Sequence, residues 1–299
     1  MRRIFLSGAV ALLLITHSNA EAAAWKDPST HLIRFVEVEP GIKMEVLEWG
    51  GSGEPLLLLA GHGYTGHVFD DFAPRLTGDF HVFALTRRGF GASSQPETGY
   101  DLPRMVQDIL QVFDALKLRR IYLAGHSIAG DELTRFALSH PDRVSKLVYL
   151  EAAYDRVETQ RVERTFPRLP PAPKPTPSDI ASPKAFRSYL GRTEILMPES
   201  EIRATRVFGP DGRYLRPGTP DRILAALARM VEHPDYAAIQ SRMFAIYAVY
   251  NRSCAVAASL HNGRSRDTPR HRNYFRHLAD CSESRARSLP HERASGSRA

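Results

Sequence analysis

Hydrophobic and polar positions alternate over residues 33–38 and again over 42–49, split by Glu39-Pro40-Gly41. Period-two runs on either side of a turn signal predict an antiparallel hairpin. The pattern then changes. Residues 56–60 read Leu-Leu-Leu-Leu-Ala without a polar break, and 82–85, 121–124 and 147–150 are apolar runs of the same kind. Such runs suit strands buried on both faces, as in a parallel sheet. Between them, Leu102, Met105, Ile109, Phe113 and Leu116 recur at helical spacing behind Asp101, a candidate N-cap, and Leu133, Phe136 and Ala137 mark another helix. Strands alternating with helices predict βαβ units, right-handed crossovers and an α/β fold with a mostly parallel, doubly wound sheet.

From about residue 157 the periodicity gives way. Pro167, Pro170, Pro171, Pro173, Pro175 and Pro177 are too closely spaced for a helix or a central strand. A helical segment over 223–231 follows, and an apolar run over 243–250 resumes the sheet. The expected organisation is therefore a core over 21–156, a Pro-rich cap insertion over 157–240, a core strand over 241–250 and a tail over 251–299. An insertion at the carboxyl edge of such a sheet is expected to cover the site. The tail has no convincing closing strand or helix. Its nearest candidates are 254–260 and 273–278, so the last strand and helix of the core are expected to be missing or degraded.

Charge sharpens this division. The chain of 299 residues carries a formal net charge of +7, yet residues 251–299 hold ten Arg against Asp267, Asp280, Glu283 and Glu292. The body is close to neutral. A basic tail whose aromatics are only the adjacent Tyr274 and Phe275 makes no stacking surface, so nucleic acid is not an expected partner. Arg2 and Arg3, the apolar run 4–15 and small residues through Ala20 read as a secretory signal peptide, with cleavage near Ala20 or Ala24. The run is too short for a comfortable membrane span. The expectation is a secreted or periplasmic protein with no stable span after cleavage. Cys254 and Cys281 both lie in the tail, so the body is expected to fold without disulfides. The sequence does not set the oligomeric state.

The strongest chemical signal is Ile121-Tyr-Leu-Ala-Gly125-His126-Ser127-Ile128-Ala129-Gly130: an apolar strand, Gly-x-Ser-x-Ala, then a helix. A sharp strand-to-helix turn that lifts a serine hydroxyl clear of the backbone needs small residues two positions either side, here Gly125 and Ala129. There is no His-Glu-x-x-His, no Cys/His metal spacing and no phosphate loop. No cofactor or metal is expected.

Over about residues 31–250 the chain resembles the α/β-hydrolase superfamily. The elbow carries the resemblance, with Ala60-Gly61-His62-Gly63-Tyr64 after a strand and Thr86-Arg87-Arg88-Gly89-Phe90-Gly91-Ala92-Ser93, where Thr86 stands in place of the usual Asp. His140-Pro141-Asp142-Arg143-Val144 adds to it. The resemblance implies a nucleophile at Ser127 and an oxyanion hole formed by the amides of Tyr64 and Ile128, with Gly63 permitting close approach. His62 and His126 are expected to be packed structural histidines. Similar dehalogenases and epoxide hydrolases use a carboxylate at the elbow, so a serine implies acyl chemistry on a small-molecule ester or related substrate.

The triad acid and base follow less directly. No carboxylate appears after the 243–250 run until Asp267. Glu151, at the end of the 147–150 run, is the first choice for the acid, with Asp155 as the second. His261, His271, His277 and His291 are available in the tail, and His291 lies at a family-like distance from Ser127. The abrupt change after Tyr250 reads as a truncated or out-of-frame C-terminus. Two functions are thus expected: an exported serine esterase, or an impaired hydrolase fold that only binds, lacking its triad histidine.

Overall fold

The computed structural model describes residues 25–163, 173–192, 197–247 and a strand at 256–260. The expected hairpin is β1 (Leu32–Glu39) and β2 (Ile42–Gly50), paired antiparallel, with Gly41 at φ 78° in the turn. The buried runs become β3 (Glu54–Leu59), β4 (Phe80–Leu85), β5 (Ile121–His126) and β6 (Val144–Leu150). A two-stranded ribbon, β7 (Arg206–Phe208) and β8 (Tyr214–Pro217), lies apart from the main sheet. The sheet is completed by β9 (Arg242–Tyr247) and β10 (Val256–Leu260).

The main sheet runs in the order β1-β2-β4-β3-β5-β6-β9-β10. From β4 to β9 every neighbouring pair is parallel, and the two edges are antiparallel. The four leucines of β3 explain their own unbroken pattern. Leu57 and Leu59 join the core beneath one face, while Leu56 and Leu58 join the core on the other. With a side-chain period of two, only a strand covered on both faces needs apolar residues at every position. Each such leucine contributes about 1.5–3 kcal/mol of burial.

Helix α1 (Leu102–Ala115) buries Met105, Ile109, Val112 and Phe113 against this sheet, and Asp101 caps it by accepting from the Arg104 amide at 3.0 Å. Helix α2 (Ala129–Ser139) starts at the elbow and buries Leu133, Phe136 and Ala137. The insertion carries α3 (Arg156–Glu163), α4 (Pro183–Arg192), α5 (Glu199–Thr205) and α6 (Asp221–Ala228). Phe186, Leu190, Met197 and Ile202 form a small core of their own there, against which Tyr64 packs. The ribbon β7–β8 had no sequence signal, because strands of three and four residues are too short to show a period.

Within the candidate run 254–260 of the tail a short strand forms, β10. It runs antiparallel to β9, with Val256 opposite Tyr247 and Leu260 opposite Met243. Residues 248–255 are too few for a parallel crossover, which needs about a dozen, so the chain can only turn back. The expected leader, the cysteines and the tail histidines lie outside the described residues. Among the described residues no helix is long and apolar enough to cross a membrane.

Candidate active site

Ser127 is the residue after β5, and its backbone is left-handed at φ 55°. A non-glycine residue held there is strained by roughly 1–3 kcal/mol and needs surroundings that enforce it. Those surroundings are visible. The Ser127 amide donates to the Leu150 carbonyl at the end of β6 (3.2 Å), and the Ser127 carbonyl accepts from Gly130 as α2 begins (2.9 Å). A Cβ on Gly125 would come within 2.6 Å of Leu133 Cδ1 and 2.7 Å of Ala129 Cβ. One on Gly130 would lie 1.9 Å from the Ala152 carbonyl oxygen. The small residues of the motif are therefore required by contact, and Ser127 is raised at the sheet's carboxyl edge, half-buried.

Glu151 ends β6 beside it and is also left-handed, at φ 47°, its amide donating to the Ile246 carbonyl of β9 at 2.8 Å. His126 pairs with Leu150 across β5 and β6, so Ser127 and Glu151 occupy neighbouring strand ends. Asp155 is placed differently. It caps α3 by accepting from the Val157 and Glu158 amides and pairs with the two-thirds exposed His233 at 2.9 Å. Burial raises the Asp155 carboxyl, but the His233 bond and the capping amides outweigh it and hold the group below its ordinary range. Asp267 and His291 lie outside the described residues. Among the described residues, no histidine hydrogen-bonds the Ser127 hydroxyl.

The loop after β3 faces the elbow. Gly63 has φ 86°, a conformation open to glycine, while a Cβ there would meet nothing. The Tyr64 amide makes a long bond of 3.3 Å back to the Gly61 carbonyl, and the Ile128 amide lies at the start of α2. His62 departs from the packed role expected of it: its side chain is exposed, and its Nε2 meets the Leu224 carbonyl of α6 at 3.1 Å. His126 does pack, its ring lying where a Cβ on Gly61 would come within 2.6 Å of Nδ1. Burial lowers its pKa despite the nearby Glu151, which favours the neutral ring.

Several residues that organise the site carry no motif. Arg87 donates from Nε to Glu132 of α2 at 2.7 Å, from Nη2 to the same carboxylate at 2.5 Å, and from Nη1 to the Gly61 carbonyl at 3.3 Å. A buried ion pair thus ties the elbow helix to the loop after β3. Thr86, in the position usually held by Asp, accepts from the Gly66 amide at 3.0 Å. From the cap, buried Glu201 of α5 accepts from the Thr65 amide at 3.1 Å and from the Thr65 hydroxyl. Burial pushes the Glu201 carboxyl up to about 8, against these bonds. Only the Arg87-Arg88-Gly89 stretch could have hinted at any of this, because the partners stand far apart in the chain.

Between loop and cap opens a cleft of about 350 Å³, lined by His62, Gly63, Phe186, Tyr189, Arg206 and Tyr214 among others. An apolar, aromatic wall with few polar groups is typical of small-molecule sites.

Known proteins agree with this architecture. The family model described as alpha/beta hydrolase fold matches residues 54–195. A fluoroacetate dehalogenase from a Burkholderia species is 33% identical over 150 residues, 46% of this chain and 49% of the relative. A 2-(acetamidomethylene)succinate hydrolase from Mesorhizobium japonicum is 32% identical over 183 residues, 60% of this chain and 63% of the relative. The chain thus spans less than two thirds of the length of these curated relatives. The crystal structure of an E-2-(acetamidomethylene)succinate hydrolase superposes with a TM-score of 0.57 at 25% identity, covering 72% of this chain and 80% of the other. With strand order, elbow and relatives in agreement, the chain has the α/β-hydrolase fold, and its residues 54–195 match that family.

Proposed function

We propose that this chain is a serine hydrolase that cleaves a small ester or related acyl substrate through an acyl-enzyme at Ser127. The observation that carries the reading is the serine itself, left-handed at the strand-to-helix elbow. A hydroxyl nucleophile attacks an ester carbonyl and expels the alcohol, which takes the serine proton by way of a base. Water then hydrolyses the acyl-serine to acid and free hydroxyl, which is acyl chemistry. In this reading the amides of Ile128 and Tyr64 receive the oxyanion, the latter once it leaves the Gly61 carbonyl. Glu151 is the acid that would orient a histidine, and His291 is the sequence's candidate for that base. The cleft beside Gly63 would take the acyl or leaving group against Phe186, Tyr189 and Tyr214, with Arg206 favouring a substrate that bears an acid. The leader expected over residues 1–20 adds export to the proposal; N-terminal sequencing of the mature protein would show cleavage near Ala20 or Ala24, and an intact Met1 would remove that part.

The second reading is a hydrolase fold that binds without turnover. It is favoured by the absence, among the described residues, of a histidine on the Ser127 hydroxyl. A fluorophosphonate probe separates the two. Covalent labelling that disappears in Ser127→Ala supports the serine hydrolase, whereas folded protein that takes no label supports the binding protein.

A further inference from the structure

A second cluster of polar side chains sits where residues 25–31 cross the turn at Gly66–Phe69, outside the elbow and its loop. His31 and His67 are buried there, with their side chains 3% and 9% exposed, beside a partly exposed Asp27. Each imidazole has one nitrogen facing a buried carboxylate. His31 Nδ1 is 2.8 Å from Asp70 Oδ1, and His67 Nε2 is 3.5 Å from Glu45 Oε1. The remaining nitrogens turn toward one oxygen: His31 Nε2 is 4.0 Å and His67 Nδ1 3.9 Å from Asp27 Oδ2. The ligand-capable atoms of the three residues all lie within 4.8 Å of one another.

We propose that Asp27, His31 and His67 form a site for a divalent transition cation of the zinc class, with Asp70 and Glu45 as the outer carboxylates that orient the two imidazoles. Metal-bound histidines nearly always donate their second ring N–H to such a carboxylate, which fixes tautomer and ring plane. Both histidines here have that partner in place. An ion at the centre of the triangle would lie at most about 2.5 Å from each atom, so side-chain shifts of a few tenths of an ångström reach the roughly 2.0–2.2 Å of zinc–nitrogen and zinc–oxygen bonds. His67 Nδ1 now lies 3.2 Å from Asp70 Oδ2, and the ion would take the place of the proton between them.

A second observation points the same way. Glu45 Oε2 is buried with no hydrogen-bond partner, and only the carboxylate's other oxygen faces His67 Nε2, so this small volume holds an anionic oxygen left without a donor. Two imidazoles with a carboxylate suit zinc and its neighbours better than calcium or magnesium, which prefer all-oxygen sets. The partly exposed Asp27 leaves an entry path and room for water. The role is structural: the ion would clip residues 25–31 to the turn that follows the oxyanion loop.

The test uses tag-free protein stripped with a chelator, then titrated with Zn²⁺ by calorimetry and with Co²⁺ by visible absorption. Wild type is expected to bind one equivalent at this site, to show Co²⁺ ligand-field bands and to melt at higher temperature with Zn²⁺. Asp27→Ala is expected to weaken binding at least about 10–100-fold and abolish the bands. His31→Gln should do the same. If His31→Gln does not fold, Asp27→Ala still decides, because Asp27 is not in the core. No binding by wild type, or binding and bands unchanged in Asp27→Ala, would overturn the proposal.

Discussion

Ser127 and Glu151 stand at the ends of neighbouring parallel strands, and both are held in left-handed backbone, at φ 55° and 47°. The Ser127 amide donates to Leu150, the residue before Glu151, while the Glu151 amide donates to Ile246 on the next strand. The strain of one strand end is braced by the adjoining strand. Only one other described non-glycine residue, Lys117, has positive φ. Strain at two adjacent positions on the carboxyl edge is what the proposed catalytic role at this edge requires.

Relieving that strain should stabilise the protein while removing the proposed nucleophile. Ser127→Gly is expected to raise stability by about 1 kcal/mol in thermal or urea unfolding. Ser127→Ala, which keeps the strained backbone, should change stability little. A Ser127→Gly protein no more stable than Ser127→Ala would show that the elbow stores no strain.

Gly130 tolerates no side chain. Its Cβ would lie 1.9 Å from a backbone carbonyl oxygen, which cannot swing aside as a flexible side chain could. Gly130→Ala is expected to cost about 3 kcal/mol or more, as overpacking against backbone. Gly63→Ala meets only the left-handed penalty and should cost about 1–2 kcal/mol. Comparable unfolding midpoints for the two variants would contradict this ranking.

The Arg87–Glu132 pair should behave as a buried ion pair whose halves need each other. Glu132→Ala or Arg87→Ala alone leaves an unpaired buried charge and is expected to cost about 3–5 kcal/mol. The double change to Met and Leu should recover most of that loss in a double-mutant cycle. Additive losses would mean that the two side chains act independently.

Stability should depend on pH through Glu201. Its folded-state carboxyl is pushed up to about 8 by burial, above its ordinary value of 4.5. The folded protein therefore keeps a proton that the unfolded chain releases between these two values. This contribution is fully present below about pH 4.5 and is lost as pH rises through about 8, at up to roughly 1.4 kcal/mol per pH unit. Glu201→Gln retains an acceptor for Thr65 and should flatten the profile over that window, most visibly in melts at pH 8. A wild-type profile already flat from pH 5 to 8 would refute the assignment.

The choice of triad acid can be read from labelling rates. In the acyl-enzyme reading, Glu151→Gln should slow fluorophosphonate labelling by about 10³–10⁴-fold. Asp155→Asn should leave both that rate and stability nearly unchanged, because Asn caps α3 as Asp does and the His233 pair it weakens is exposed. The reverse pattern would reassign the acid to Asp155.

Local periodicity and steric need were legible in the residues alone. The hairpin shows in its period of two, β3 in an unbroken apolar run whose leucines divide between two cores, and α1 in its helical spacing and Asp101 cap. The elbow shows because a serine in left-handed backbone demands small neighbours at fixed offsets. Other contacts emerge only in the folded arrangement. Glu201 reaches Thr65, Arg87 reaches Glu132, and His31 reaches Asp70 across long stretches of chain, and no spacing rule links such partners. The same holds for β10, whose five residues carry little period of their own and whose direction follows from the short link behind it. Contacts made by neighbours in sequence leave a pattern; contacts made by neighbours in space leave none until the sheet has assembled and brought them together.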